Sequence, residues 1–174
     1  MSRSNVVLIG MPGAGKSTVG VLLAKRLALG FVDTDLLIQS HAGRSLQTIV
    51  DQQGHEALRA VEEEVLQTLT VRDHVIATGG SAVYSEAAMA ALRRDGVIVH
   101  LHVDWPVLER RVTNLDTRGI AKAGDQTLRD VYDEREPLYQ RHAEITVDAS
   151  QLDQEATMEA IVEALQGRGQ AHHT

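Results

Sequence analysis

No cysteine occurs in the 174 residues, so the chain can form neither a disulfide nor a thiolate metal site, a usage compatible with a reducing cytosol. Long runs of lysine or arginine are also missing, and the net charge is −7. A broad nucleic-acid surface or an anionic membrane is therefore not the expected partner, and a small molecule fits better. No apolar stretch is long enough to cross a bilayer, and the first residues enter a short apolar strand with no signal-peptide cleavage pattern. The expectation is a soluble, cytoplasmic protein, monomeric and free of internal repeats. At this length it makes one well-buried domain, spanning about residues 1–167 with a polar, frayed tail at 168–174. Lysine is scarce: three lysines stand against 14 arginines, a bias that suits bidentate oxyanion contacts if some arginines converge on one cleft.

What is present is a phosphate cradle. Gly10, four residues, then Gly15-Lys16-Ser17 is P-loop spacing, in which glycines let backbone N–H groups close around phosphate oxygens. Gly13, Ala14, Gly15, Lys16, Ser17 and Thr18 would bind a nucleoside triphosphate, with Lys16 reaching the β/γ-phosphates and the Ser17 hydroxyl on Mg²⁺. The context agrees: an apolar strand, Asn5 to Ile9, precedes the loop, and an amphipathic helix from Ser17 to about Leu29 follows and turns its positive end to the anion.

Further along, Gly30 reads as a helix stop and Phe31-Val32-Asp33 as a second strand, so the start of the chain is a βαβ unit with parallel pairing and the class is α/β. Short helices are expected over Leu36 to His41 and Ser45 to Asp51, broken by Gly43. A longer one runs from His55 to about Thr70, with Leu58, Val61, Val65 and Leu69 as its buried stripe. His74 to Thr78 reads as a third strand closing on Gly79-Gly80-Ser81, followed by a helix capped by Ser85 and ending near Arg94. Val97 to Val103 is the fourth strand, and Asp104 with Pro106 starts a helix carrying Leu108, Arg110 and Arg111. Residues 114–126 lose periodicity and read as a mobile functional loop. Thr127 and Asp130 form a capping-box pattern for a helix to about His142, bent or interrupted at Pro137. Ile145 to Val147 is the fifth strand, and Asp153 to Gln166 the closing helix. The expected fold is a three-layer P-loop NTPase domain, a five-stranded parallel sheet flanked by helices, with a mobile lid.

Ligands of open parallel sheets sit beyond the carboxyl ends of the strands, which selects the P-loop, Asp33-Thr34-Asp35 and Gly79-Gly80-Ser81. Two carboxylates one residue apart at a strand end can divide the work of phosphoryl transfer, one toward Mg²⁺ and one toward an acceptor hydroxyl; a turn with helix capping is the alternative. His100 and His102 alternate on one strand and share a face, as a metal pair would, but no third ligand is evident and a structural role is favoured. His172 and His173 read as exposed tail residues.

The blocks Gly10 to Thr18, Phe31 to Asp35, Gly54 to Glu62, Ile76 to Gly80, Thr117-Arg118 and Glu134 to Tyr139 resemble, in order and spacing, the shikimate kinases. That resemblance implies ATP and Mg²⁺ as cofactors and shikimate, or a similar hydroxy acid, as acceptor. Carried over, it implies that Asp33 helps hold Mg²⁺ and that Asp35 binds and activates the acceptor hydroxyl. Arg59 and Arg135 would bind the substrate carboxylate, and Gly79, Gly80 and Ser81 would line the ring. Lys16 and Arg118, the latter from a lid over about 114–126, would stabilise the migrating phosphoryl group, and Arg111 would flank the nucleotide. From the residues alone, the preferred reading of Arg59 is a surface helix residue paired with Glu62 or Glu63. Three positions depart from the family pattern. Ser81 stands where a third glycine is usual, Arg118-Gly119-Ile120-Ala121 where Arg-Pro-Leu-Leu is usual, and Leu58 where phenylalanine is common. A same-fold kinase for another hydroxylated acid such as gluconate, or a nucleotide-binding module without catalysis, are the rival readings.

Overall fold

The computed structural model describes residues 3–112 and 125–171. The first strand, β1 (Asn5–Ile9), is buried along its whole length, as expected for a strand covered on both faces of a parallel sheet. After the glycine loop comes α1 (Lys16–Leu27), then β2 (Gly30–Asp33), α2 (Thr34–Ala42), α3 (Leu46–Gln53), α4 (His55–Thr68) and β3 (His74–Ala77). A 3₁₀ turn at Ala82–Tyr84 leads into α5 (Glu86–Asp95), β4 (Gly96–His102) and α6 (Trp105–Val112). Beyond residue 124 follow α7 (Leu128–His142), β5 (Ile145–Asp148) and α8 (Gln154–Ala171).

All five strands pair in parallel in the order β2-β3-β1-β4-β5. The βαβ unit at the start of the chain is thus parallel but not adjacent. β3 lies between β1 and β2, with Val75 in register with both Val6 and Phe31. This insertion changes function, because it brings the Gly79-Gly80-Ser81 turn between the P-loop and Asp33. The main core fills the space around the sheet, from Leu8, Ile9 and Leu23 to Ile98, Tyr139 and Ile161. A separate small cluster, Ile38, Ile49, Leu58 and Val65, joins α2, α3 and α4. At position 58, then, an aliphatic side chain serves as core in this subcluster.

Three local expectations are revised. The stop after α1 is made by Ala28, whose left-handed φ of 56° turns the chain while its N–H caps the helix end. Gly30 is required for another reason: a Cβ there would lie 2.4 Å from the His74 ring. Pro137 does not interrupt α7, which runs unbroken because both ends are secured. Its capping box is fully formed at Thr127 and Asp130, and Val131, Arg135 and Tyr139 are buried along it. Helix α8 continues past Gln166 to Ala171, through part of the stretch expected to fray; His172 and His173 lie outside the described residues.

Candidate active site

Because the sheet is parallel, the carboxyl ends of its strands open on one edge, and the groups singled out above meet there. The glycine loop leaves β1 with Gly10 at φ 149°, and Gly13 and Gly15 also have positive φ. At Gly10 a Cβ would meet the Leu101 carbonyl oxygen at 2.7 Å, so any side chain would push the loop off β4. Gly15 caps α1 without a side-chain acceptor, and the first turn holds no acidic residue. The positive end of the helix therefore faces the loop uncompensated, as an anion site requires.

Lys16 is buried and folds back on the loop, its ammonium donating to the carbonyls of Gly10 at 2.7 Å and Met11 at 2.8 Å. Burial pulls its pKa down to about 8, against the opposing pull of Asp35. Ser17 and Thr18 are exposed at the mouth of the loop. The Ser17 hydroxyl donates to Asp33 Oδ2 at 2.8 Å, and Asp33 Oδ1 accepts the backbone N–H of Asp35 at 2.9 Å. Asp33 consequently does both things weighed for it: one oxygen caps α2, and the other faces the P-loop serine. Two hard oxygen donors at the edge of a phosphate cradle are a donor set that suits Mg²⁺.

Asp35, in the first turn of α2, has its pKa raised by burial and by the neighbouring Asp33 charge. It shares this region with Glu62 from α4, a buried carboxyl whose pKa burial pushes up to about 7. Gly79 threads between the two: a Cβ there would sit 2.5 Å from Glu62 Oε2 and 2.8 Å from Asp35 Oδ1. At Gly80 a Cβ would meet Arg135 Nη1 at 2.7 Å and Pro12 of the glycine loop at 2.9 Å. The turn after β3 is therefore a common wall between the phosphate cradle and the arginine pocket.

Ser81 occupies an ordinary right-handed conformation, φ −87° and ψ −5°, so glycine is not required there. Its side chain is buried and donates to Glu62 Oε1 at 2.5 Å, which answers how the chain accommodates a hydroxyl at this position. Arg135 is almost fully buried on α7, with Nε donating to the Tyr84 hydroxyl at 3.3 Å. Arg59 lies over the face of the same Tyr84, its Cζ 3.7 Å from the ring centroid. The guanidinium is thus held by an aromatic ring, and its Nε is buried without a hydrogen-bond partner among the described residues. Tyr139 closes the floor by donating to the Gly80 carbonyl at 2.7 Å.

Two of these residues carry no role in the sequence reading. Tyr84, which sits between the two arginines, follows Gly79-Gly80 by a few residues and has no local pattern to distinguish it. Glu62 did leave a signal, since it stands four residues after Leu58 on the apolar face of α4, where a carboxylate is out of place. Arg111 lines a cleft of about 520 Å³ beside the loop, together with Gly13, Ala14, Gly15, Ala149 and Asp153. Its Nη2 reaches the Ala149 carbonyl at 3.5 Å. Arg118 and the lid residues 114–124 lie outside the described residues.

Known proteins of one family resemble this chain over nearly its whole length. Residues 12–166 match the family model described as shikimate kinase. A shikimate kinase of Caldanaerobacter subterraneus subsp. tengcongensis is 36% identical over 170 residues, covering 94% of this chain and 99% of that protein. One of Halorhodospira halophila is 38% identical, covering 95% of each. Among solved structures, the Acinetobacter baumannii shikimate kinase in complex with shikimate superposes with a TM-score of 0.86 at 30% identity, covering 95% of this chain and 94% of that one. With a P-loop, a strand-end carboxylate pair and a buried arginine pocket on one edge of its sheet, the chain belongs to the shikimate kinase family of small-molecule kinases.

Proposed function

We propose that the protein transfers the γ-phosphoryl group of ATP to a hydroxyl of shikimate, with Mg²⁺, giving ADP and shikimate 3-phosphate. The observation that carries this reading is the shared wall: a Cβ at Gly80 would meet both Pro12 of the phosphate loop, at 2.9 Å, and Arg135 Nη1, at 2.7 Å. An anionic alcohol held by Arg135 and Arg59 lies beside the phosphate cradle, with Asp35 next to it. The planar carboxylate of the acceptor suits forked guanidinium groups. The adenine side of ATP fits the cleft flanked by Arg111, and its phosphates fit the N–H groups from Gly13 to Thr18.

In this reading Asp35 orients the acceptor hydroxyl and takes its proton as the oxygen attacks phosphorus in line and the bond to the ADP oxygen breaks. Its raised pKa suits a group that must accept that proton. Lys16 leaves the Gly10 and Met11 carbonyls for the phosphates, and its ammonium counters the charge spreading over the migrating group. Ser17 and Asp33 would hold Mg²⁺, which when bound would supply positive charge to offset the negative charge building on the phosphates. Gly79, Gly80 and Ser81 shape the floor beneath the acceptor ring. The reading carries with it a soluble cytoplasmic monomer acting on a small metabolite, consistent with the absence of cysteine and the net charge of −7. Among the described residues, no helix is long and apolar enough to cross a membrane.

A coupled ADP-release assay with shikimate, quinate and gluconate tests the assignment. Shikimate should give the largest kcat/KM; preference for gluconate refutes the acceptor, and ATP binding without stimulation by any acceptor refutes catalysis. Asp35→Asn should lower turnover by at least about tenfold with ATP affinity nearly intact, since its work is on the acceptor.

A further inference from the structure

On the far side of Arg135 lies a second group of chemically able side chains that the phosphoryl-transfer site does not use. His100 and His102 project from the same face of β4, and Glu136 comes from α7 to meet them. The third ligand that the sequence could not supply thus arrives from 34 residues further along the chain. His100 is completely buried, and neither of its ring nitrogens has a hydrogen-bond partner among the described residues. Its Nε2 faces Glu136 Oε1 at 3.6 Å, too far for a hydrogen bond. A buried imidazole left this way keeps the full desolvation penalty of its polar atoms, which an occupant bonded to them would offset.

His102 has carboxylates on both nitrogens. Nε2 lies 2.9 Å from Asp104 Oδ1, and Nδ1 lies 3.1 Å from Glu136 Oε2. If Nε2–H donates to Asp104, Nδ1 faces an anionic oxygen, and a proton or a metal ion can sit between the two. The Asp104–His102 contact is the carboxylate–imidazole pairing that orients metal-bound histidines. Asp148, in register with His102 on β5, adds a further negative charge nearby.

We propose that His100 Nε2, His102 Nδ1 and a Glu136 oxygen form a binding site for a divalent transition ion of the zinc type, with Asp104 orienting His102 and a fourth position left to water. Two neutral imidazoles and one carboxylate are a donor set for zinc and its neighbours rather than for Mg²⁺. The ligand atoms all lie within 4.8 Å of one another. His100 Nε2 lies 3.6 Å from Glu136 Oε1 and His102 Nδ1 lies 3.1 Å from Oε2, so each imidazole has one carboxylate oxygen near the ligand–ligand edge of about 3.4 Å in a tetrahedral zinc site. Half-buried His102 and exposed Asp104 give the ion an entry path. Once bound, it would tie β4 to α7 one residue from Arg135, making the ion a positional clamp behind the arginine pocket and distinct from the Ser17–Asp33 magnesium site.

The test uses the full chain, stripped with chelator and held in excess Mg²⁺ so that the phosphate-loop site is saturated. Zn²⁺ is titrated against a competing chromophoric chelator, and Co²⁺ is followed by its visible ligand-field bands. One equivalent of either should bind, with the intense bands of a four-coordinate cobalt centre. His102→Gln and Glu136→Gln should each weaken binding by about 100-fold or more, and Asp104→Asn by about tenfold. A His172→Ala/His173→Ala variant should match the parent. Failure of the parent chain to bind one equivalent overturns the proposal without recourse to any variant. So does unchanged affinity in His102→Gln or Glu136→Gln whose far-ultraviolet circular dichroism shows them folded, or loss of the site with the two C-terminal histidines.

Discussion

Glu62→Gln should stabilise the protein at neutral and alkaline pH and have little effect in acid. The carboxyl is 4% exposed, and its pKa is raised to about 7 from an ordinary 4.5. Burial is the main cause; the Ser81 hydroxyl pulls the other way, and the Asp35 charge adds to the rise. Below pH 4.5 the group is protonated whether the chain is folded or not, so replacing it with an amide of the same shape costs little. Between 4.5 and about 7 the unfolded chain releases its proton while the folded chain keeps it, and wild-type stability falls as pH rises. Above that window both forms are ionised and the fold carries a penalty of about 3 kcal/mol, which glutamine avoids while still accepting the Ser81 hydrogen bond. For a chain of this size the difference corresponds to roughly 6–12 °C in Tm. Urea unfolding of both proteins at a series of pH values measures it directly. The curves should coincide near about pH 4 and separate progressively up to about pH 8. A gap that does not change with pH, or a variant less stable than wild type at the alkaline end, would refute the reasoning. Ser81→Ala offers a check from the other direction: without its hydroxyl the carboxyl loses the group that favours its ionised form, and the fall in stability should extend to higher pH.

Gly80→Ala places a methyl 2.7 Å from Arg135 Nη1 and 2.9 Å from Pro12, and the arginine must move. The KM for shikimate should rise at least about tenfold with the KM for ATP little changed, in steady-state assays that vary each substrate. Lys16, its pKa lowered to about 8 by burial, should regain its proton when ATP phosphates arrive. Calorimetry in buffers of different ionisation enthalpy should therefore show proton uptake on ATP binding above about pH 8, absent in Lys16→Arg and fading toward lower pH. Thr127→Ala removes one half of the α7 capping box and should lower stability by about 1 kcal/mol, measured by thermal melting; no change would mean that the cap contributes nothing to the helix carrying Arg135.

Elements with a local code were legible from the chain. The glycine loop, the strand before it, the capping box at Thr127 and the cap at Ser85 all rest on residues close together in the chain, whereas of the expected α4 stripe Leu58 and Val65 are buried, Val61 is half-buried and Leu69 lies just past the helix end. Their boundaries shifted by one or two residues, as at Ala28, where a left-handed turn at a non-glycine residue ended α1 before the glycine expected to do so. The interruption expected at Pro137 does not occur: a proline inside a helix is locally unfavourable, but burial along α7 overrides it.

By itself the sequence determined the chemistry available: a phosphate loop, two carboxylates at a strand end, and arginines in place of lysines. Only the tertiary structure decided which of these groups meet. It placed β3 between β1 and β2 and so set Gly80 against both Pro12 and Arg135. Tyr84 came to lie between Arg59 and Arg135, Ser81 was turned onto Glu62, and Glu136 was carried to His100 and His102. The physical reason is that strand order and helix docking are set by burial summed over the whole core. A hydrogen bond between residues 19 or 34 positions apart leaves no periodicity or spacing in the chain from which it can be read.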